Sequence, residues 1–345
     1  MQISPETQLF IREHQTDDVR ALALQARKYP NVDMPTAITQ IAGRQVAAEK
    51  IPSWRDTDDI WYPKHLSLEQ CSSEVTARYK ATLLKGNSLT DLTGGFGIDC
   101  AFLAARFKSA TYVERQQELC EIAAHNFPIL NLNHINVKNE DGVSYLQAMS
   151  PVERIFVDPA RRNEHGGKTV AISDCEPDVA ELEELLLNKA EQVMVKLSPM
   201  LDLSLALKEL QHVQEVHIIS ANNECKELLL ILGQASAEEI SIHCVNLPTR
   251  GAQEEQHFVF TREQEQCSEC NYTDTLENYL YEPNASLLKA GAFRSIASAF
   301  PVKKLHPNSH LYTSDVLVES FPGRAFHIIS PVSYTHLTLP TICSV

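Results

Sequence analysis

Two hydrophobic periods divide the chain. From about Ser4 to Ala48, Leu, Ile, Val and Ala recur at helical spacing, and the break YPNVDMP (Tyr29–Pro35) separates two helical segments. A stretch with Pro52, Trp54, Trp61, Tyr62 and Pro63 then leads into a helix near Ser72–Leu84, capped by Ser72 or Ser73. From Ser88 the pattern changes to short apolar runs alternating with amphipathic helices, which is what a parallel sheet covered on both faces requires. Strands are expected near Ser88–Leu92, Ala110–Glu114, Ile135–Val137, Arg154–Asp158, Gln192–Leu197, Val216–Ser220 and Glu227–Leu232. The first five are spaced for helical crossovers. The last two are separated only by ANNECK, too short for a crossover, so they must pair antiparallel.

The predicted fold is α/β: a Rossmann-like sheet of five parallel strands plus an antiparallel hairpin, the arrangement of class I methyltransferases, whereas nicotinamide-binding domains continue with another parallel strand. Beyond Gly233, ISIHCV (Ile240–Val245) and HFVFT (His257–Thr261) read as strands of a small α+β module. Pro283 and Asn284 start a helix there, and Leu311–Tyr312 and Ala325–Ile329 are strand-like. The expected division is a helical domain over 1–70, the α/β domain over 71–235, the α+β module over 236–320, the start of a further domain over 321–331, and a non-native tail over 332–345 (VSYTHLTLPTICSV from Val332), which breaks the strand pattern.

Composition narrows the function classes. With 43% hydrophobic and 22% charged residues over 345, the chain is ordinarily globular, and no apolar run is long enough to cross a bilayer, so a cytoplasmic location and no membrane partner are expected. The nine cysteines are irregularly spaced and mostly lie in apolar segments, unlike a disulfide framework. Only Cys267 and Cys270 form a close pair, in what reads as a polar hairpin loop. No second pair follows at finger or ribbon spacing, so no metal is expected. The net charge of −15 opposes nucleic-acid binding unless charge is segregated. Acidic residues do crowd Glu176–Glu184 and Glu254–Glu269, while Arg161, Arg162, Lys168, Lys303 and Lys304 are grouped elsewhere.

The candidate chemistry lies at the strand ends. DLTGGFGID places Asp91 at the end of the first strand, then Thr93, Gly94, Gly95 and Gly97 before a helix, in the order Asp-x-x-x-Gly-x-Gly used to bind S-adenosylmethionine (SAM). A dinucleotide loop would need glycine or alanine where Cys100 stands. Glu114 closes the second strand, where a carboxylate can accept ribose hydroxyls. Asp141 follows the third, where one can accept an adenine amine, although either acid would also suit a helix N-terminus. VDPARR ends the fourth strand: Asp158 can accept from an exocyclic amine, Pro159 stiffens the loop, and Arg161 and Arg162 suit phosphate or carboxylate contact or stay solvated. Cys175 in DCEPD is either a nucleophile for carbon methylation of a pyrimidine or an inert thiol before a helix starting at Pro177, capped by Ser173 or Asp174. Lys196, in VKLSP, borders the acceptor pocket or merely ends the fifth strand.

Together with ECKELLLILG, YLYEPNASLLKAGAF and KKLHPNSHLYTSD, these motifs resemble the class I SAM-dependent methyltransferases that carry a ferredoxin-like module and a C-terminal THUMP-like domain, and the likeness runs to about Ser330. The resemblance implies SAM as cofactor, held by Asp91, Thr93, Gly95, Gly97, Glu114 and Asp141, with Asp158, Pro159 and Arg161 at the acceptor. THUMP domains bind RNA, so it also implies a tRNA or rRNA base as substrate. By that comparison the chain stops where the THUMP-like domain begins, at FPGRAFHII (Phe321–Ile329). DPAR is similar to the DPPR and NPPY loops of nucleic-acid methyltransferases, with Ala160 in place of the second proline, which leaves nitrogen and carbon methylation both open. The alternatives are a protein or small-molecule methyltransferase, or a non-catalytic scaffold binding RNA or a partner. Oligomeric state is not legible.

Overall fold

The computed structural model describes residues 3–161, 171–235, 238–248 and 254–329. They fall into two compact units, one formed by the chain up to Val216 with Lys226–Glu238, the other by His217–Cys225 with the chain from Glu239 onward.

In the first unit, α1 (Pro5–Glu13), α2 (Val19–Leu24), α3 (Met34–Lys50), α4 (Pro52–Arg55) and α5 (His65–Gln70) precede α6 (Glu74–Leu83). Side-chain caps start most of them: Ser4, Asp18, Asp33 and Ser73 accept backbone N–H groups at α1, α2, α3 and α6. Phe10, Leu22, Met34, Ala37 and Ile41 form a core among the first three helices. A second core joins Trp54 and Tyr62 to Phe96, Tyr112 and Phe127, so residues 1–70 share buried packing with the sheet that follows.

That junction is held by two amide side chains. Gln40 donates to Tyr62 O at 2.9 Å and accepts Tyr62 N–H at 2.8 Å, and Asn126 does the same for Trp61 at 2.9 Å in both directions. An irregular segment has no ladder partner, and these amides satisfy its buried backbone as a neighbouring strand would.

The sheet comprises β1 (Gly86–Asp91), β2 (Phe107–Glu114), β3 (Ile135–Asn139) and β4 (Val152–Val157), connected by α7 (Ile98–Ala104), α8 (Gln117–Ile129) and α9 (Gly142–Ala148). The short strands β5 (Ala160–Arg161) and β6 (Cys175–Glu176) pair antiparallel beyond β4, before α10 (Val179–Lys189) and β7 (Ala190–Leu197). After α11 (Leu203–Glu209) come β8 (Val213–Ala221) and β9 (Glu224–Gly233). The spatial order is β3-β2-β1-β4-β7-β9-β8, with β9 antiparallel to β7 and the pairings from β3 through β7 all parallel. The expected five parallel strands and reversed hairpin are present, and the returning strand β9, not β8, lies against β7. The start of α10 differs from expectation: its first helical residue is Val179, two positions beyond Pro177, and the cap is Asp178, which accepts from Ala180 and Glu181, in place of Ser173 or Asp174.

In the second unit β8 turns into β9 through Asn222 and Asn223, both left-handed (φ 50° and 61°), the geometry of a tight hairpin. β10 (Ser241–Leu247) lies beside β8 and pairs antiparallel with β11 (Gln256–Thr261). Then follow α12 (Arg262–Cys267), β12 (Tyr279–Pro283), α13 (Ala285–Ala290), α14 (Arg294–Ala299), β13 (Lys303–Lys304), β14 (Tyr312–Ser314) and β15 (Gly323–His327), the four strands forming a sheet ordered β13-β14-β12-β15. Asn284 caps α13. Cys267 ends a helix, where a hairpin loop was expected. Gly323–His327, read from sequence as the start of a further domain, pairs along β12. The tail 332–345, Arg162 and Lys168 lie outside the described residues, among which no helix is long and apolar enough to cross a membrane.

Replacing Gln40 with Leu keeps its volume but strips Tyr62 of both partners. The expected cost is about 1–3 kcal/mol of unfolding free energy, read as a lower urea midpoint at unchanged slope.

Candidate active site

The carboxyl ends of β1, β2 and β4 and the turn after β3 converge on a cleft of about 260 Å³ in the first unit. Asp91, the last residue of β1, is fully buried; its Oδ1 accepts Thr93 N–H at 3.0 Å, but its Oδ2 has no partner. Burial pushes the carboxyl well up, the Thr93 bond opposes this, and the nearby Asp99, Asp158 and Glu114 add to the rise. A buried carboxylate oxygen without a donor is expensive unless a ligand supplies one.

The loop after Asp91 depends on its glycines. Gly95 (φ 54°) and Gly97 (φ 89°) are left-handed, and a Cβ at Gly94 would stand 2.2 Å from the Tyr112 ring. Tyr112 Oη donates to Gly95 O at 2.5 Å, while Glu114 Oε2 accepts Gly95 N–H at 2.9 Å and Oε1 accepts Gln116 N–H at 2.8 Å. The end of β2 therefore anchors the turn from both sides. Asp141 Oδ1 accepts Val143 and Ser144 N–H at 3.1 and 2.9 Å, capping α9.

All six residues expected to hold the cofactor, Asp91, Thr93, Gly95, Gly97, Glu114 and Asp141, line this one cleft, and so does Asp158. Pro159 is buried next to Asp158 but is not part of the lining. The backbone of Arg161 pairs with Cys175, and its side chain lies outside the described residues. Cys175 is 1% exposed and absent from the cleft wall, so it does not reach the position a nucleophile needs.

Behind Asp158 lies a chain of buried charges. Lys196 Nζ donates to Asp158 Oδ2 at 2.5 Å and to Asp99 Oδ2 at 3.4 Å. Lys80, fully buried on α6, reaches Asp99 Oδ1 at 2.9 Å and Glu227 Oε2 at 2.5 Å. Ser72 Oγ accepts from Lys80 at 2.8 Å and sits 2.7 Å from Asp99 Oδ2. Burial alone would raise Asp99, yet Lys80 and Lys196 outweigh it and hold the carboxyl at about 2. A depressed carboxyl stabilises the fold at neutral pH, and this contribution is lost as pH falls from the ordinary carboxylate range toward 2. Burial would lower Lys196, but Asp158, Asp99 and Glu227 together keep its ammonium well above the usual lysine range. Asp158 keeps 35% of its side chain open, and burial of the remainder raises its carboxyl despite Lys196.

Sequence alone offers Lys196 only as an option and Ser72 only as a helix cap, and it does not mark Lys80 or Glu227, nor the wall contributed by Cys71, Arg115 and Glu176. A lysine inside an amphipathic helix and a glutamate opening an apolar strand carry no local mark of burial.

Two family models match the chain: protein-L-isoaspartate(D-aspartate) O-methyltransferase over residues 49–164, which include the glycine loop and Asp158, and a ferredoxin-like domain over residues 279–322. A candidate methyltransferase from Porphyromonas gingivalis W83, known as a crystal structure, is 36% identical over 95% of this chain and 83% of its own, with a TM-score of 0.84. A methyltransferase structure from Streptococcus mutans in complex with S-adenosylhomocysteine (SAH) is 13% identical, over 46% of this chain and 96% of its own, at a TM-score of 0.33. TrmK of M. capricolum, also in complex with SAH, is 11% identical over 47% and 69%, at 0.37. At that distance neither bears on the acceptor. No curated protein matches the chain. The long, 36%-identical match to the Porphyromonas protein, on the sheet and loop described above, places the chain in that protein's family, the SAM-dependent methyltransferases, with a ferredoxin-like domain toward the C-terminus.

Proposed function

We propose that the acceptor is a base in RNA, a tRNA or rRNA, methylated on an exocyclic or ring nitrogen. The observation that carries this reading is the Asp158 carboxylate, open to the cleft on one side and charge-paired on the other. SAM supplies a methyl group on a sulfonium, ready for in-line displacement. On the donor side, Asp91 Oδ2 is suited to the ammonium of its amino-acid portion, the partner that oxygen lacks. Glu114 spends one lone pair per oxygen on backbone N–H groups and keeps capacity for two ribose hydroxyls. Asp141 is suited to the adenine amine, a reading supported by its position in the same cleft wall as Thr93, Gly95 and Gly97.

On the acceptor side, Asp158 accepts a hydrogen bond from the base N–H and aims the nitrogen lone pair at the methyl carbon. As the N–C bond forms, the C–S electrons return to sulfur and the N–H proton passes to the carboxylate. Pro159 keeps the loop stiff, and Arg161 is suited to an RNA phosphate. Three features favour nitrogen over other acceptors. Among the described residues Cys71 is the one cysteine lining the cleft, and burial pushes its thiol to about 11, leaving little thiolate for carbon methylation. Cys175 is walled off. A carboxylate acceptor, the class named by the isoaspartate model, would meet the negative Asp158 and Glu176. The RNA itself follows from the resemblance to enzymes with a THUMP-like domain, and on a chain of net charge −15 it must engage a segregated basic surface.

Asp91→Asn removes a buried negative charge that neighbouring carboxylates oppose, so the ligand-free variant is expected to unfold at higher temperature at pH 7 while losing most of the stabilisation SAM confers, about 2.7 kcal/mol at a hundredfold excess over Kd. The same carboxyl predicts a pH dependence: its folded value is raised, so it is increasingly protonated as pH falls toward the ordinary carboxylate range, and calorimetric SAM affinity declines over that interval in the wild type but not in Asp91→Asn. Asp158→Asn should bind SAM yet transfer labelled methyl to RNA at least about 100-fold more slowly. Nucleoside mass spectrometry of tRNA and rRNA incubated with labelled SAM tests the acceptor; label on a nucleobase nitrogen supports the proposal, and label on protein alone overturns it.

A further inference from the structure

We propose that Lys196 is a positioning residue for methyl transfer, the last member of a buried charge chain that holds Asp158 in its ionised, cleft-facing form; this rests on Asp158 being the group that meets the acceptor. Lys196 interrupts an otherwise apolar buried run, Val193 to Leu197 on β7, at the end that opens into the cleft. Burying an ammonium there costs several kcal/mol unless excellent partners surround it, and an apolar side chain would serve packing better. Its partners are excellent. Asp158 and Asp99 take two of its three N–H groups at 2.5 and 3.4 Å, and Lys80 fixes Asp99 from behind, itself anchored on Glu227 and Ser72.

The chain is unequal by design of its members. Three carboxylates, Asp99, Asp158 and Glu227, face two ammonium groups, Lys80 and Lys196. Asp99 has both lysines within 3.4 Å, Glu227 has Lys80, and Asp158 has Lys196 alone. Glu227 is 6% exposed and also accepts Ser72 Oγ–H at 3.2 Å, whereas Asp158 is 35% exposed and is the carboxylate of the three that opens into the cleft, where a proton leaving the acceptor would be received. The charged groups facing Asp158 are Lys196 from β7, Asp99 from α7, Lys80 from α6 and Asp91 from β1. Thr93 Oγ1 accepts the Asp158 backbone N–H at 2.7 Å, so the main chain beneath the carboxylate is held independently of Lys196. Losing the lysine then changes the charge and aim of Asp158 more than its location.

The test reads the Asp158 titration directly, by carboxyl ¹³C NMR of the full chain, with the resonance identified by its loss in Asp158→Asn. Lys196→Met should move that titration up by about 1–3 pH units, the range an opposite charge at this distance supplies. The acidic limb of kcat/KM for labelled methyl transfer from SAM to total tRNA should move with it. Lys196→Arg should return both toward wild type. Should Lys196→Met fail to fold, Asp99→Asn reports on the same coupling with the opposite sign, lowering the Asp158 titration because one opposing anion is gone. An Asp158 titration unmoved in folded Lys196→Met, or in Asp99→Asn where the former does not fold, overturns the proposal. If wild-type protein leaves tRNA and rRNA unlabelled, the RNA reading falls while the titration still decides the role of Lys196.

Discussion

Mutual repulsion among carboxylates is the constraint around which this active site is built. Asp91, Asp99, Glu114, Asp141 and Asp158 all line one small cleft at the carboxyl edge of a parallel sheet. Each is accommodated by a different device. Glu114 accepts two backbone N–H groups, one of them from the glycine loop it thereby anchors, and Asp141 takes the exposed N–H groups of a helix start. Asp99 is enclosed by two lysines, and Asp158 leans on one. Asp91 Oδ2 has no hydrogen-bond donor, and unlike Asp99 Oδ1 it has no lysine beside it. The protein thus tolerates a local electrostatic debt at the point where a cationic donor would settle it.

The glycine loop and the strand-end acids were legible in the sequence because their causes are local. A left-handed turn demands glycine, so Gly95 and Gly97 are visible as letters, and a strand ending in an acid repeats three times at crossover spacing. Strands β1 to β4 and β7 to β9 are where the sequence placed them, most plainly β7 and β9, whose burial on both faces leaves a long hydrophobic signature. The buried charge chain behind Asp158 was less visible. Lys80, Ser72 and Glu227 come from three separate elements, and only tertiary packing makes them neighbours. Cys175 shows the converse: its motif invited a nucleophile, yet the pairing of Cys175–Glu176 with Ala160–Arg161 turns the thiol into the protein. The cap of α10 is Asp178, because the helix starts only at Val179, and Asp174 instead accepts Ala171 N–H at 3.2 Å.

The helical segment before the sheet contributes more than its sequence announces. Ser67, Gln70, Cys71 and Ser72 form part of the cleft wall, and Lys80 of α6 supplies the rear of the charge chain. Gln40 and Asn126 set the path of Trp61 and Tyr62 from opposite sides, linking the first core to the second. The shape of the cleft therefore depends on the packing of these helices, a link no glycine-loop motif records.

The placement of β9 between β7 and β8 bears on how the protein is made. As the chain leaves the ribosome, β7 is made before its partner on one edge, and β8, which follows, belongs one strand further out in the folded sheet. Only when β9 has been synthesised does that edge acquire its partner, at the same moment that Glu227 reaches Lys80. A nascent chain paused before this point exposes a long apolar strand edge, the kind of surface that chaperones recognise and that misassembles when they are absent.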